Sequence, residues 1–249
     1  MAKKSTPTAA KTSHLKLRAF SPTCRSTACE KAVQIATTAH AATDALLTAY
    51  ELARGTRGRP RGMTTDNEQD LLRSMLVMAA AGLDATVKQL VQDALPYLIG
   101  GDTKAQNSFE KFVARRLMAD MATGVTGVNA KLLASVLASA RPQVKLIDEF
   151  VSHLTGGSLQ SVDSLFEVAA ALGADPVEIG LASNELKPIF ETRNKIIHEL
   201  DINLTAHKRT RNVRSQTDMI RDTERIFKLM GALISSVDHR LPPTASLKT

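Results

Sequence analysis

Arg193, Asn194 and His198 interrupt an apolar helical pattern near the end of the chain, with Glu191 just ahead of them. At about 100° per residue, Glu191, Asn194 and His198 stand at i, i+3 and i+7 and share one helical edge. Arg193 does not share it. It lies four residues after Ile189 and four before Ile197, inside the stripe of Leu186, Ile189, Phe190, Ile196, Ile197 and Leu200 that is expected to face the bundle. An unpaired guanidinium is costly to bury, so this position calls for a carboxylate, a subunit interface open to water or a bound phosphate. Arg193 and His198 are offset by about 140° and roughly 7.5 Å along the axis. The long arginine can swing across that gap, or a two-fold related copy can bring its own Arg193 to the first His198.

The elements that must hold these residues read as helices. Ala and Leu dominate, aromatic residues make up 4% with no Trp, and no alternating run of Val, Ile, Thr and Tyr is long enough for a strand. The expected fold class is all-α, a helical bundle with a long first helix and a C-terminal helix packed against the motif helix. A weakly patterned, Ala-rich helix over 28–54 is expected on the outside of the bundle. Thr65-Asp66-Asn67-Glu68 is a capping box that opens the long helix, whose apolar residues recur from Leu72 to Leu98. Shorter helices are expected over 104–121, 130–139, 144–154 and 162–172, and Asp175-Pro176-Val177-Glu178 signals a further helix start. The motif helix spans about 184–200. Behind a Ser215 cap, 216–239 carries Met219, Thr223, Ile226, Met230, Leu233 and Val237 in near-heptad order.

Charge is distributed unevenly. The chain carries a formal +7, yet three acid-free segments (1–29, 54–61 and 207–214) hold fourteen Lys and Arg, which leaves the remainder at −7. Basic appendages on an acidic body favour a polyanionic partner, most simply nucleic acid. Candidate contacts are Arg57, Arg59 and Arg61 in one segment and Lys208, Arg209, Arg211 and Arg214 in the other. Arg57-Gly58-Arg59-Pro60 resembles an AT-hook, in which an extended Gly-Arg-Pro centre sits in a narrow A·T minor groove, so DNA is one expected partner of that loop. The same arginines would equally serve as a charged linker or grip RNA phosphates. Cys24 and Cys29 have no second Cys or His pair at zinc-ligand spacing, so neither a metal nor a cofactor is expected. No apolar run reads as a membrane span and the first residues lack a secretory leader, which makes the expected location cytoplasmic without membrane attachment.

Arg193-Asn194-Lys195-Ile196-Ile197-His198, with the long apolar helix before it and a final helix after it, resembles the R-x(4)-H motif of HEPN (higher eukaryotes and prokaryotes nucleotide-binding) domains. The resemblance spans about residues 65–240 and is sharp only at the six-residue motif. It implies a metal-independent ribonuclease of the toxin or phage-defence kind, working as a homodimer with a composite site on RNA, and kept in check by an antitoxin or inhibitor. By the same resemblance, His198 is general base or acid for attack of a ribose 2′-OH on the adjacent phosphate, giving a 2′,3′-cyclic phosphate. Arg193 binds the scissile phosphate, and Asn194 orients His198 or the phosphate. The resemblance also implies an acid on the long helix, for which Asp84 is the candidate beside Asp70 and Asp93; Glu191 is the local alternative. The expected organisation is a disordered basic tail over 1–27, a helix and basic linker over 28–64, the HEPN-like domain over 65–240, and a disordered tail over 241–249. The rival expectation is a HEPN-like module that binds nucleic acid or a partner without cutting.

Overall fold

The computed structural model describes residues 15–57, 63–123, 128–159, 161–181, 183–205, 207 and 210–242. Among them the chain forms eight helices and no strand: α1 Thr27–Thr56, α2 Asp66–Gly101, α3 Thr103–Thr123, α4 Val128–Leu137, α5 Pro142–Thr155, α6 Val162–Ala171, α7 Ser183–Glu199 and α8 Gln216–Arg240. The fold is an all-α bundle built around α2. This helix of 36 residues starts at the capping box, where Thr65 Oγ1 accepts from Glu68 N and Glu68 Oε2 accepts from Thr65 N at 2.9 Å. At 1.5 Å per residue it is about 54 Å long, and α1, α3, α5, α6, α7 and α8 all pack on it.

Several expectations need correcting. α1 is not peripheral: it makes the most extensive contact with α2, burying Ala32, Ala36, Ala39, Thr43, Leu47 and Tyr50. Small residues let the two axes approach; a Cβ added to Gly82 would lie 2.4 Å from that of Ala39. α1 therefore belongs to the same bundle as the rest, with no domain boundary between 64 and 65. α8 buries its near-heptad stripe against α2 and α1 rather than against α7, which it meets through the ion pair of Arg225 with Glu185 at 3.4 Å. α2 is long and apolar enough to cross a bilayer by length and composition alone, but here the neighbouring helices cover most of its apolar residues, leaving Met78 and Tyr97 exposed. The start signal at Asp175 produces a turn rather than a helix. Asp175 Oδ1 caps Val177 N at 2.8 Å, and Gly180 at φ +73° ends the turn.

Residues 15–26, expected within a disordered tail, lie as an extended strap across α1 and α8. Leu17 is buried, and carboxylates take up the strap's backbone donors: Leu17 N to Asp44 at 3.1 Å, Arg18 N to Glu224 at 3.0 Å and Ser26 N to Asp238 at 2.8 Å. A strap has no helical period to read; its order comes from acids distant in sequence. Residues 1–14 and 243–249 lie outside the described residues.

Candidate functional site

α7 buries Leu186, Ile189 and Phe190 and half-buries Ile196, and packs on α2. Arg193 follows this stripe and is half-buried, as its register requires. Its Nε is buried without a hydrogen-bond partner among the described residues, while Nη1 donates to Asn194 Oδ1 at 2.9 Å. Burial pushes the guanidinium below its ordinary value, and the Asp84 carboxylate pulls the other way. Asp84 is not free to close on it. Its Oδ1 accepts from Leu159 N at 2.7 Å and its Oδ2 pairs with Lys88 Nζ at 2.9 Å. Of the three acids weighed on the long helix, only Asp84 acts on Arg193: Asp70 pairs with Arg73 and Arg211, and Asp93 with Lys31 and Gln89.

Glu191, Asn194 and His198 are exposed together, as their shared edge dictates. Neither the Glu191 nor the His198 side chain makes a hydrogen bond or ion pair with a described residue. Asn194 thus positions Arg193 rather than His198, and Glu191 holds neither. The stripe also ends early: Ile197 is 37% and Leu200 64% exposed, so both stand beside His198 instead of facing the bundle.

The end of α7 explains this. Asp201 N donates to Lys195 O, six residues back, at 2.9 Å, and Leu200 and Asp201 close the helix in the left-handed region with φ of 50° and 58°. Two consecutive non-glycine residues in the left-handed region are strained by about 1–3 kcal/mol each. A buried clamp offsets that strain. Asp201 is fully buried and accepts from Arg73 Nε at 2.9 Å, from Arg214 Nε at 2.9 Å and Nη2, and from Asn212 Nδ2 at 3.0 Å. Burial alone would raise the Asp201 carboxyl; the hydrogen bonds from Arg214, Arg73 and Asn212 outweigh it and hold the group below the ordinary carboxylate range. Sequence inspection missed this clamp, because its partners Arg73 and Asp201 are 128 residues apart.

The clamp also changes the meaning of the basic segments. Arg211 Nη2 pairs with Asp70 at 2.6 Å, Arg214 with Asp201, and Arg57 Nε with the buried Glu68 at 2.7 Å, while Arg57 Nη1 donates to Met63 O at 2.9 Å. These three arginines are ion-paired to carboxylates of the chain and anchor the segments. Gln69 ties the two together, donating to Thr64 Oγ1 at 2.6 Å and Arg214 O at 3.1 Å and accepting from Arg214 N at 2.7 Å. Both segments are therefore anchored at the start of α2, where α7 ends. Arg59, Arg61, Lys208 and Arg209 lie outside the described residues, as does Gly58-Arg59-Pro60 of the hook-like sequence.

Family models, curated proteins and solved structures give no match to this chain. Its chemistry has to be read from its own side chains. Among the described residues no three His, Cys, Asp or Glu side chains form a group that could hold a metal ion. Cys24 and Cys29 are free thiols, and burial, with Asp238 nearby, pushes the Cys29 thiol up to about 12, so it stays protonated and inert near neutrality.

Proposed function

We propose that this chain is an endoribonuclease of the HEPN kind, acting on RNA as a homodimer in the cytoplasm, in the manner of a toxin or phage-defence nuclease. The observation that carries this reading is the state of Arg193: a half-buried guanidinium with an unsatisfied Nε, fixed by Asn194, on the helix that exposes His198. No described residue completes the hydrogen bonding of this cation, which leaves it open to an incoming phosphate.

In the reaction, one His198 takes the proton of a ribose 2′-OH as its oxygen attacks phosphorus. The bond from phosphorus to the 5′-oxygen breaks, and the leaving oxygen takes a proton from the His198 of the second chain. The products are a 2′,3′-cyclic phosphate and a 5′-hydroxyl. Arg193 stabilises the charge growing on the phosphoryl oxygens, and the Asp84 carboxylate offsets part of the cost of burying that cation. The exposed Ile197 and Leu200 beside His198 offer apolar surface for the second chain, or for an inhibitor that covers the site.

Binding without cutting is the rival reading, favoured by the His198 side chain having no orienting partner among the described residues. An AT-hook role for the loop loses Arg57 to Glu68 and rests on Arg59 and Arg61. The test is incubation with total RNA in EDTA, followed by mapping of cyclic-phosphate ends. Wild type should cut, and His198→Ala should cut about 10²–10⁴-fold more slowly. Equal cutting by wild type, His198→Ala and Arg193→Ala, or no cutting of any RNA, would sink the enzyme reading.

A further inference from the structure

A cleft of about 760 Å³ opens between the strap, α8 and the start of α7, away from the candidate site. Its walls are preformed. Leu17 N and Arg18 N are held by Asp44 and Glu224, and His40 Nε2 lies 3.0 Å from Arg18 O; because a carbonyl only accepts, Nε2 is the donor.

Two features of the lining point to one class of ligand. On one side is an aromatic cluster: Phe20 stacks on His40 with centroids 5.4 Å apart, and buried Phe227 meets both rings at 5.3 and 4.9 Å. On the other, Arg221, Arg225 and Lys228 follow one another at i, i+4 and i+7 on α8, with Arg18 facing them from the strap. Four cations outnumber the two carboxylates, Glu185 and Glu224, in the same lining. Arg221 is occupied by Asp218 and Asp222, and Arg18 by Glu224. Arg225 reaches Glu185 only at 3.4 Å, between side chains 37% and 59% exposed, and exposed Lys228 pairs with no described residue.

We propose that this cleft binds a nucleotide, with the base against the Phe20 and His40 rings and the phosphate on Arg225 and Lys228. An apolar aromatic wall beside available cations, in a volume within the 300–1,000 Å³ usual for small ligands, suits a stacked base joined to an anion. Neither a purely apolar ligand nor a bare anion would use both halves. Glu185 in this lining and His198 lie thirteen residues apart on α7, about 20 Å along its axis. The cleft is thus separate from the proposed catalytic edge and does not depend on it.

The nucleotide has two sources, a free molecule or one residue of an RNA strand. Calorimetric titration of the full-length His198→Ala protein with AMP and with hexa-adenylate distinguishes them. Saturable binding of AMP is expected, with adenosine and inorganic phosphate each at least tenfold weaker. Hexa-adenylate binding tenfold tighter than AMP assigns the site to an RNA strand, and equal affinity assigns it to the free nucleotide. Arg225→Glu with Lys228→Glu should weaken AMP at least tenfold; Lys228→Glu alone, at an exposed side chain, should weaken it severalfold with an unchanged circular dichroism spectrum. No saturable binding of either ligand, phosphate binding as tightly as AMP, or affinity untouched by Lys228→Glu would overturn the proposal. Because binding is read in a His198 variant, that outcome leaves the cleavage question untouched, and absent cleavage leaves the binding result standing.

Discussion

Arg73 and Arg193 are both arginines set into the packing between α2 and α7, and they are resolved in opposite ways. Arg73 is 3% exposed, with Nε on Asp201, Nη1 on Asp70 and Nη2 on the Asn212 carbonyl. Arg193 is half-buried, has an Nε without a partner, and holds only its neighbour Asn194 while Asp84 acts from further off. A buried guanidinium with a partner on each nitrogen is part of the scaffold; Arg193 differs from it, and from Arg57 and Arg240, whose buried unbonded nitrogens sit in ion-paired guanidiniums, in having no ion pair with a described residue. The Arg73 clamp fixes the end of the helix on which Arg193 and His198 stand.

Removing each arginine should separate these roles. Arg73→Ala leaves Asp201 buried with one cation fewer, and should cost about 3–5 kcal/mol in urea unfolding; Asp201→Ala should cost a similar amount. A loss below 1 kcal/mol would mean the clamp is not what closes this end of the bundle. Arg193→Met should leave stability within about 0.5 kcal/mol of wild type while slowing RNA cleavage about 10²–10³-fold. A large loss of stability with cleavage intact would invert the assignment.

Acid titration gives a graded version of the first experiment. The folded Asp201 carboxyl titrates below its ordinary value of 3.8. Its share of stability is therefore complete above that value and is lost as the pH falls through the lower folded one. Thermal melts of Asp201→Asn should be less stable than wild type near neutrality, and the gap should narrow in strong acid. The smallest effect is expected at the margin of the clamp. Arg211 and Asp70 have side chains 35% and 49% exposed, so Arg211→Ala should cost no more than about 1 kcal/mol and be weakened further by salt.

The sequence by itself determined the helical class, the capping-box start of α2, the shared edge of Glu191, Asn194 and His198, and the displacement of Arg193 towards the buried side. All follow from local rules, the 3.6-residue period and the pairing of a cap with its first turn, which need only neighbours in the chain. Tertiary structure decided what those rules cannot reach. Which acid faces Arg193 depends on how α7 lies along α2, and the choice fell on Asp84 over Asp70 and Asp93. The Ala-rich α1 has a weak pattern because close contact with α2 needs small residues rather than a strong apolar stripe. Arg57, Arg211 and Arg214 look like free cations in the sequence because Glu68, Asp70 and Asp201, which hold them, come from other elements. The strap that walls the cleft is ordered by Asp44, Glu224 and Asp238, acids that no local pattern could have joined to it.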